Sequence, residues 1–227
     1  MAEVAGDRRK TSAMSSQLRL SGGRRLKSPA GQGTRPTTSR VREAVMNVLA
    51  PRLHDCHWLD LFSGSGVMGC EALQSGARRV VAVERNAKTA KVCQANLIAT
   101  ASGLSQQSNI EVIRHDVLSW LKRGCHAANL NQPWAGANPG FNLVYLDPPY
   151  SSKLYSEVFK ALLSGHWLQR DALVICEHAT NNSLETPMQW LEQDRRIYGS
   201  SALLFTNPPE QYRDDTDSKH PQTIQAK

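Results

Sequence analysis

The chain has 227 residues and a formal net charge of +7, long enough to bury one sizeable core or a core with a small appendage. Five cysteines, an odd number without a Cys-x-x-Cys pair, speak against a disulfide frame or a zinc site and for reduced thiols in a cytoplasmic setting; Cys56, Cys70, Cys93 and Cys176 fall in apolar, core-like patterns. No apolar run approaches the roughly 20 residues of a membrane span and the N-terminus lacks the hydrophobic stretch of a secretory signal, so no membrane partner is expected.

The positive excess is confined to the N-terminal arm. Residues 1–42 hold ten Lys or Arg against two acids, a net of +8, whereas the rest holds 17 against 18, a net of −1. Residues 1–17 read as a solvated, disordered tail, and an extension over 18–50 follows. Leu18-Arg-Leu20, Gly22-Gly23 and Arg24-Arg-Leu-Lys27 predict a small hairpin that presents guanidinium groups to phosphates. Thr37 to Leu49 predicts a helix ending before Pro51, with Val41, Val45, Val48 and Leu49 inward. Arg19, Arg24, Arg25 and Lys27 are thus candidate contacts to a polyanion such as RNA. Arg35, Arg40 and Arg42, near the mouth of the site, are placed to meet either RNA or the carboxylate of a cofactor.

Residues 51–206 read as one α/β domain. His57 to Leu61 is a short buried strand running into the glycine-rich turn Phe62-Ser-Gly-Ser-Gly66; a helix over Val67 to Ser75 follows, with Gly76 at its stop. Glycines at 64 and 66 permit φ > 0 and a close approach of backbone to ligand. Arg79 to Val83 is a second strand closed by Glu84, an acid placed to accept hydrogen bonds from both hydroxyls of a ribose. Ile110 to Ile113 leads to His115, Asp116 and Val117, and a fourth strand leads to Asp147. With Asp60, carboxylates close four successive strands at spacings of 24, 32 and 31 residues, each the length of a strand, a crossover helix and the return. In a parallel sheet all four line the crevice at the carboxyl ends of the strands.

Gly64-Ser-Gly-Val-Met-Gly69 satisfies the dinucleotide pattern G-x-G-x-x-G, which keeps a nicotinamide enzyme as an alternative. An acid just ahead of that loop, however, repels a diphosphate and suits a ligand carrying an amine and a sulfonium. S-adenosylmethionine fits: Asp60, Phe62, Gly64 and Gly66 near its amino-acid moiety, Glu84 on its ribose, Asp116 with Val117 at its adenine.

Asn142 to Leu146 then delivers Asp147, Pro148, Pro149 and Tyr150 to one point. Proline fixes φ near about −65° and has no N–H, so the turn is stiff and offers carbonyl oxygens without a competing donor. The Asp147 carboxylate and the Pro148 carbonyl can take the two hydrogens of an exocyclic NH2, and Tyr150 can stack on a nucleobase. Asp-Pro alone is ordinary turn chemistry; the glycine loop and the recurring acids favour a site. Downstream, Ala172 to Glu177 reads as a fifth strand, Arg195 to Tyr198 with Ala202 to Phe205 as a closing pair, and residues 207–227 as a disordered polar tail. His115 and His178 border the crevice.

Asp60-Leu-Phe-Ser-Gly-Ser-Gly66 together with Asp147-Pro-Pro-Tyr150 resembles the Rossmann-like methyltransferases that modify exocyclic amines. Thr34-Arg-Pro-Thr-Thr-Ser-Arg-Val-Arg-Glu-Ala-Val45, the preceding Gly22-Gly-Arg-Arg-Leu-Lys-Ser-Pro29, and Tyr198-Gly199 followed by Ala202-Leu-Leu-Phe205 narrow this to the bacterial small-subunit rRNA (guanine-N2)-methyltransferase D family, over roughly residues 18–206. The resemblance implies a class I methyltransferase fold: a mostly parallel seven-stranded sheet with helices on both faces. It implies S-adenosylmethionine as cofactor, S-adenosylhomocysteine as product and no metal. The implied acceptor is the N2 amine of a guanine in 16S ribosomal RNA, naked or within an assembling particle; a monomer is expected. Two features depart from the family: Ser39 stands where Asp is usual, and Gly124 to Gly140, which contains Trp134, reads as an insertion. An adenine-N6 methyltransferase shares Asp-Pro-Pro-Tyr but usually carries a recognition domain for which this chain has little room. A cytosine-C5 enzyme would use a Pro-Cys pair, which the sequence lacks. An RNA-binding assembly factor that kept the fold and lost catalysis is an alternative of another class, against which the intact Asp147 to Tyr150 stands.

Overall fold

The computed structural model describes residues 18–29, 38–127, 130, 139–149 and 152–212. After an N-terminal hairpin the elements are α1 (Ser39–Leu53), β1 (His57–Leu61), α2 (Val67–Gln74), β2 (Arg79–Val83), α3 (Ala87–Ala101), β3 (Asn109–Ile113), α4 (Val117–Leu121), β4 (Phe141–Leu146), α5 (Ser152–Ser164), β5 (Leu168–Ala179), β6 (Leu191–Tyr198) and β7 (Ser201–Asn207). The strands form one sheet in the order β3-β2-β1-β4-β5-β7-β6. β1 to β5 run parallel, and β7 is antiparallel to both of its neighbours.

Every residue of β1 and β2 is buried, which explains their near-continuous apolar runs: crossover helices cover both faces of a parallel sheet. One core layer packs α1, α2 and α3 against Trp58, Tyr145, Ile175 and Phe205. The other packs α4 and α5 against Leu59, Leu61, Val144 and Cys176. All five cysteines are free and buried. No helix among the described residues is long and apolar enough to cross a membrane. The mostly parallel seven-stranded sheet with helices on both faces is therefore as the sequence predicts, and strand order reverses between β1 and β4, which opens a crevice at their carboxyl ends.

Three boundaries differ from expectation. α1 starts at Ser39, with Thr38 Oγ1 accepting from Val41 N at 3.4 Å, and continues through Pro51 to Leu53. Pro51 lacks only its own N–H, so a single helical bond is forfeited, and the buried Leu53 holds the last turn against the core. β5 begins at Leu168, four residues before the predicted strand, and ends at Ala179. The expected tail begins too early at 207: Asn207 closes β7, and Tyr212 Oη donates to Leu168 O at 3.0 Å, which anchors the chain that far. The tails at 1–17 and 213–227, and most of the 124–140 insertion with Trp134, lie outside the described residues.

The predicted hairpin is present. Arg19 and Arg25 form an antiparallel bridge, Leu26 N donates to Leu18 O and Leu20 N to Arg24 O, both at 2.9 Å, and Gly23 turns at φ 81°. Leu20 and Leu26 are buried in the core, which leaves the alternate positions Arg19 and Arg25 on the outside.

Candidate functional site

The loop after β1 takes positive φ at three of its five residues: Phe62 (62°), Gly64 (53°) and Gly66 (75°). For a bulky residue such as Phe62 this costs on the order of 1–3 kcal/mol. The loop tolerates it because it is fastened: Ser63 N donates to Val83 O at 3.0 Å, Gly66 N to Ser63 O at 2.8 Å and Gly64 N to Glu84 Oε2 at 3.1 Å. A Cβ at Gly66 would lie 2.6 Å from Cys93 Sγ, so the loop packs tightly on α3 there. A Cβ at Gly64 would meet nothing within 4 Å, which leaves an open cradle for a ligand on that side.

Acids line the crevice in strand order: Asp116 after β3, Glu84 after β2, Asp60 in β1, Asp147 after β4 and Glu177 in β5. Asp60 is 2% exposed and accepts Gly69 N at 3.2 Å; burial above all, with the charge of Glu84, pushes its pKa up to about 7 despite that hydrogen bond. Burial, then the charges of Glu177 and Asp60, push Asp147 up to about 8. Glu84 accepts Gly64 N through one oxygen and Asn86 N, at 2.7 Å, through the other. Each oxygen keeps a further lone pair for a hydroxyl. Asp116 has a structural duty as the N-cap of α4, accepting Ser119 N at 3.0 Å, a bond that holds its carboxyl below the usual range. Val117 opens that helix, whose first N–H groups have no partner within it. Pro148 is buried and Pro149 exposed; Tyr150 and Arg35 lie outside the described residues.

Sequence reasoning passed over Glu177. Its signal was available, since it closes a fifth strand 30 residues after Asp147 and so continues the series of acids. The side chain is 7% exposed, and its Oε2 accepts Tyr145 Oη at 2.5 Å. Of the bordering histidines, His178 directs Nδ1 at the carbonyls of Ala179 and Asn182, both 3.1 Å away, so Nδ1 carries the hydrogen. His115 Nδ1 lies 3.1 Å from Asp116 O. A cavity of about 620 Å³ lined by Glu43, Glu71, Gln74 and Ser75 lies at the other end of α2, away from the strand ends, and takes no part in this site.

The basic residues divide. Arg19, Arg24, Arg25, Lys27 and Arg40 are exposed, as a docking surface requires. The structure corrects the reading of Arg42: it is 5% exposed, its Nε donates to Glu71 Oε1 at 3.3 Å and its Nη2 to Arg19 O at 2.6 Å. It pins the hairpin to α2 and does not face a phosphate. Ser21 N adds a bond to Glu71 Oε1 at 3.1 Å. Asn96, on α3, forms a second clasp: Oδ1 accepts Lys27 N, and Nδ2 donates to Lys27 O and to Ser65 O, all at 2.9 Å. The hairpin therefore backs directly onto the glycine loop.

The donors present suit S-adenosylmethionine. Carboxylates surround the place of a cationic ligand, the Gly64 cradle is open, and Glu84 retains acceptor capacity for a ribose. Among the described residues no group of His, Cys, Asp or Glu is arranged to hold a metal ion.

The model of the family described as Conserved hypothetical protein 95 matches residues 20–207. The chain is 31% identical over 208 residues to Ribosomal RNA small subunit methyltransferase D of Escherichia coli K12, covering 89% of this chain and 96% of that protein. It is 35% identical over 168 residues to the protein of the same name from Haemophilus influenzae, covering 74% and 80%. Among solved structures, a candidate methyltransferase of Escherichia coli, yhhF, superposes with a TM-score of 0.69 at 30% identity, over 86% of this chain and 99% of that one. A candidate methyltransferase complexed with S-adenosylhomocysteine shares the fold at 16% identity, with a TM-score of 0.56 over 73% of this chain and 48% of that one. With its acid-lined crevice on a Rossmann-like sheet, the chain belongs to the Conserved hypothetical protein 95 family, alongside the small-subunit ribosomal RNA methyltransferases D.

Proposed function

We propose that this protein is an S-adenosylmethionine-dependent methyltransferase of ribosomal RNA, and that it methylates the exocyclic N2 amine of a guanine in the small-subunit (16S) RNA. The observation that carries the reading is the Asp147-Pro148-Pro149 turn at the end of β4, next to the strand whose glycine loop and Asp60 face the same crevice. The small-subunit relatives supply the RNA class; guanine N2 rests on the family resemblance.

Asp60, Phe62, Gly64 and Gly66 would hold the amino-acid part of the cofactor, Glu84 its ribose, and Asp116 with Val117 its adenine. When bound, the cofactor would supply an electrophilic methyl on a sulfonium, the new N–C bond replacing the S–C bond, and would leave as S-adenosylhomocysteine. Everything else falls to the protein. A purine amine is a weak nucleophile because its lone pair is delocalised into the ring. Asp147 and the Pro148 carbonyl, by accepting its two hydrogens, let the nitrogen pyramidalise and expose that lone pair. Asp147 then takes the released proton, and its charge favours the developing cation. The base has to leave its stack to reach this point, with Tyr150 as its new neighbour. Arg19, Arg24, Arg25, Lys27 and Arg40, with Arg35, would dock the RNA, and the protein would act as a monomer.

Nucleoside mass spectrometry of 16S RNA from cells with and without this protein tests the reading. Loss of one N2-methylguanosine, restored by the purified protein with S-adenosylmethionine, is the expected result; an unchanged guanine profile with another methylated nucleoside missing would refute the guanine assignment.

A further inference from the structure

We propose that Glu177 is a positioning residue for Asp147: it faces Asp147 from the neighbouring strand and sets the pH at which Asp147 can accept the hydrogens of the target amine. The inference rests on the methyl-transfer reading and adds to it a residue outside the Asp-Pro-Pro-Tyr motif.

Register places the two acids together. β4 and β5 pair in parallel with Tyr145 opposite Ile175 and Leu146 opposite Cys176, so the next step along both strands sets Asp147 opposite Glu177. Glu177 is fixed at both ends. Its carboxylate accepts Tyr145 Oη at 2.5 Å, its carbonyl accepts Tyr155 Oη at 2.5 Å, and its backbone pairs with Leu203 of β7. Tyr145 is itself immobilised by stacking on Trp58 at 6.1 Å. Tyr155 belongs to α5, the helix that follows the Asp147 turn, so Glu177 ties both flanks of that turn to one strand.

The electrostatic consequence follows from like charge in a buried place. Among the described residues, the groups that interact electrostatically with Asp147 are Glu177 from β5, Asp60 from β1, and the neutral Tyr145 and Tyr155 hydroxyls. Both charges that act on it among the described residues are negative. Burial above all, then the charge of Glu177 and after it that of Asp60, raises the Asp147 pKa to about 8 in the ligand-free protein. A protonated Asp147 accepts poorly. A cationic ligand in the crevice reverses the balance, so the acid ionises when the site is filled. Glu177 thus favours a neutral Asp147 in the empty site and makes Asp147 a stronger base once it is charged.

Carboxylate NMR titration of the ligand-free protein, with Asp147→Asn to identify the resonance, reads this without any turnover. Asp147 should titrate well above the usual carboxylate range, and Glu177→Gln should lower its midpoint by about one unit or more, a neutral amide replacing a charge at unchanged shape. In methyl transfer to 16S RNA, the acid limb of kcat/KM should move down with the NMR midpoint in Glu177→Gln. An ordinary Asp147 midpoint in the wild type overturns the proposal even if Glu177→Gln fails to fold. So does an unmoved midpoint in a folded Glu177→Gln. A shifted midpoint in a protein that methylates no RNA would instead sink the functional reading and leave the coupling of the two acids intact.

Discussion

The crevice and the hairpin put charge to opposite uses. In the crevice Asp60 and Glu177 are sunk into the sheet, and burial, followed by the charges of Glu177 and Asp60, raises Asp147 to about 8, so each like charge there weighs on whether its proton stays or leaves. In the hairpin Arg19, Arg24, Arg25 and Lys27 stand in water, and what is buried is their support: Glu71 with Arg42, and Asn96. Chemistry on an amine needs a few charges in a poor solvent. Docking a polyanion needs many charges that each act weakly and together release counterions. Yet the regions touch, because Asn96 bonds both Lys27 and the Ser65 carbonyl of the glycine loop.

The sharpest way to break the contrast is Asp147→Ala. If the carboxylate acts on the target amine, kcat should fall by about 10²–10⁴-fold while S-adenosylhomocysteine affinity by calorimetry changes little. Near-normal turnover would remove Asp147 from the chemistry. Next in size is Arg42→Ala, which strands the buried Glu71; denaturant unfolding should show a loss of about 3–5 kcal/mol, far more than any exposed arginine of the hairpin would cost. A loss below about 1 kcal/mol would return Arg42 to the docking surface.

Glu84→Ala should weaken cofactor binding by about 1–3 kcal/mol, since it removes acceptors for both the ribose and the Gly64 loop. The quadruple change of Arg19, Arg24, Arg25 and Lys27 to Ala should flatten the slope of log K for RNA against log salt by roughly 2–4 units if most of them meet phosphate. An unchanged slope means that the RNA is held elsewhere. Asn96→Ala removes the bonds to both Lys27 and the Ser65 carbonyl: it should weaken cofactor affinity although it touches no expected cofactor atom, and an unchanged affinity would mean that this clasp does not hold the loop.

A further effect is on pH-dependent stability. Asp60 and Asp147 have folded pKa values near 7 and 8, above the ordinary 3.8. Their protonated forms are favoured by folding, so this contribution is full below about pH 4 and lost as pH rises through 7 and 8. The melting temperature of the ligand-free protein should decline over that window, and Asp147→Asn should decline less. A flat profile from pH 6 to 9 in the wild type would contradict the raised values.

The strands and their terminal acids were legible because parallel sheets write a plain pattern: apolar runs, an acid where each emerges, and a near-constant repeat. Asp60, Glu84, Asp116 and Asp147 were found in that way. Glu177 was missed because no motif surrounds it, although the repeat reached it. Arg42 was misread because residue type outweighed position; it lies three residues before Val45 and seven before Leu49, on the buried stripe of α1, where only a partner such as Glu71 makes an arginine tolerable. That partner is 29 residues away in sequence. The clasp of Asn96 on Lys27 was invisible for the same reason, a separation of 69 residues. Pro51 and the segment to Tyr212 were misjudged because local rules were applied where tertiary packing decides.

β7, the last of the described strands to be made, lies between β5 and β6 and not at the margin of the sheet. During synthesis β5 can dock on β4 as soon as it emerges, but its outer edge then stays open, with unsatisfied backbone groups beside Glu177, until Ser201–Asn207 has arrived. The acid-lined end of the sheet is thus completed only after Ser201–Asn207 has been made. A nascent or truncated chain ending before residue 200 would present a raw strand edge to its neighbours, which makes premature termination an aggregation hazard as well as a loss of activity.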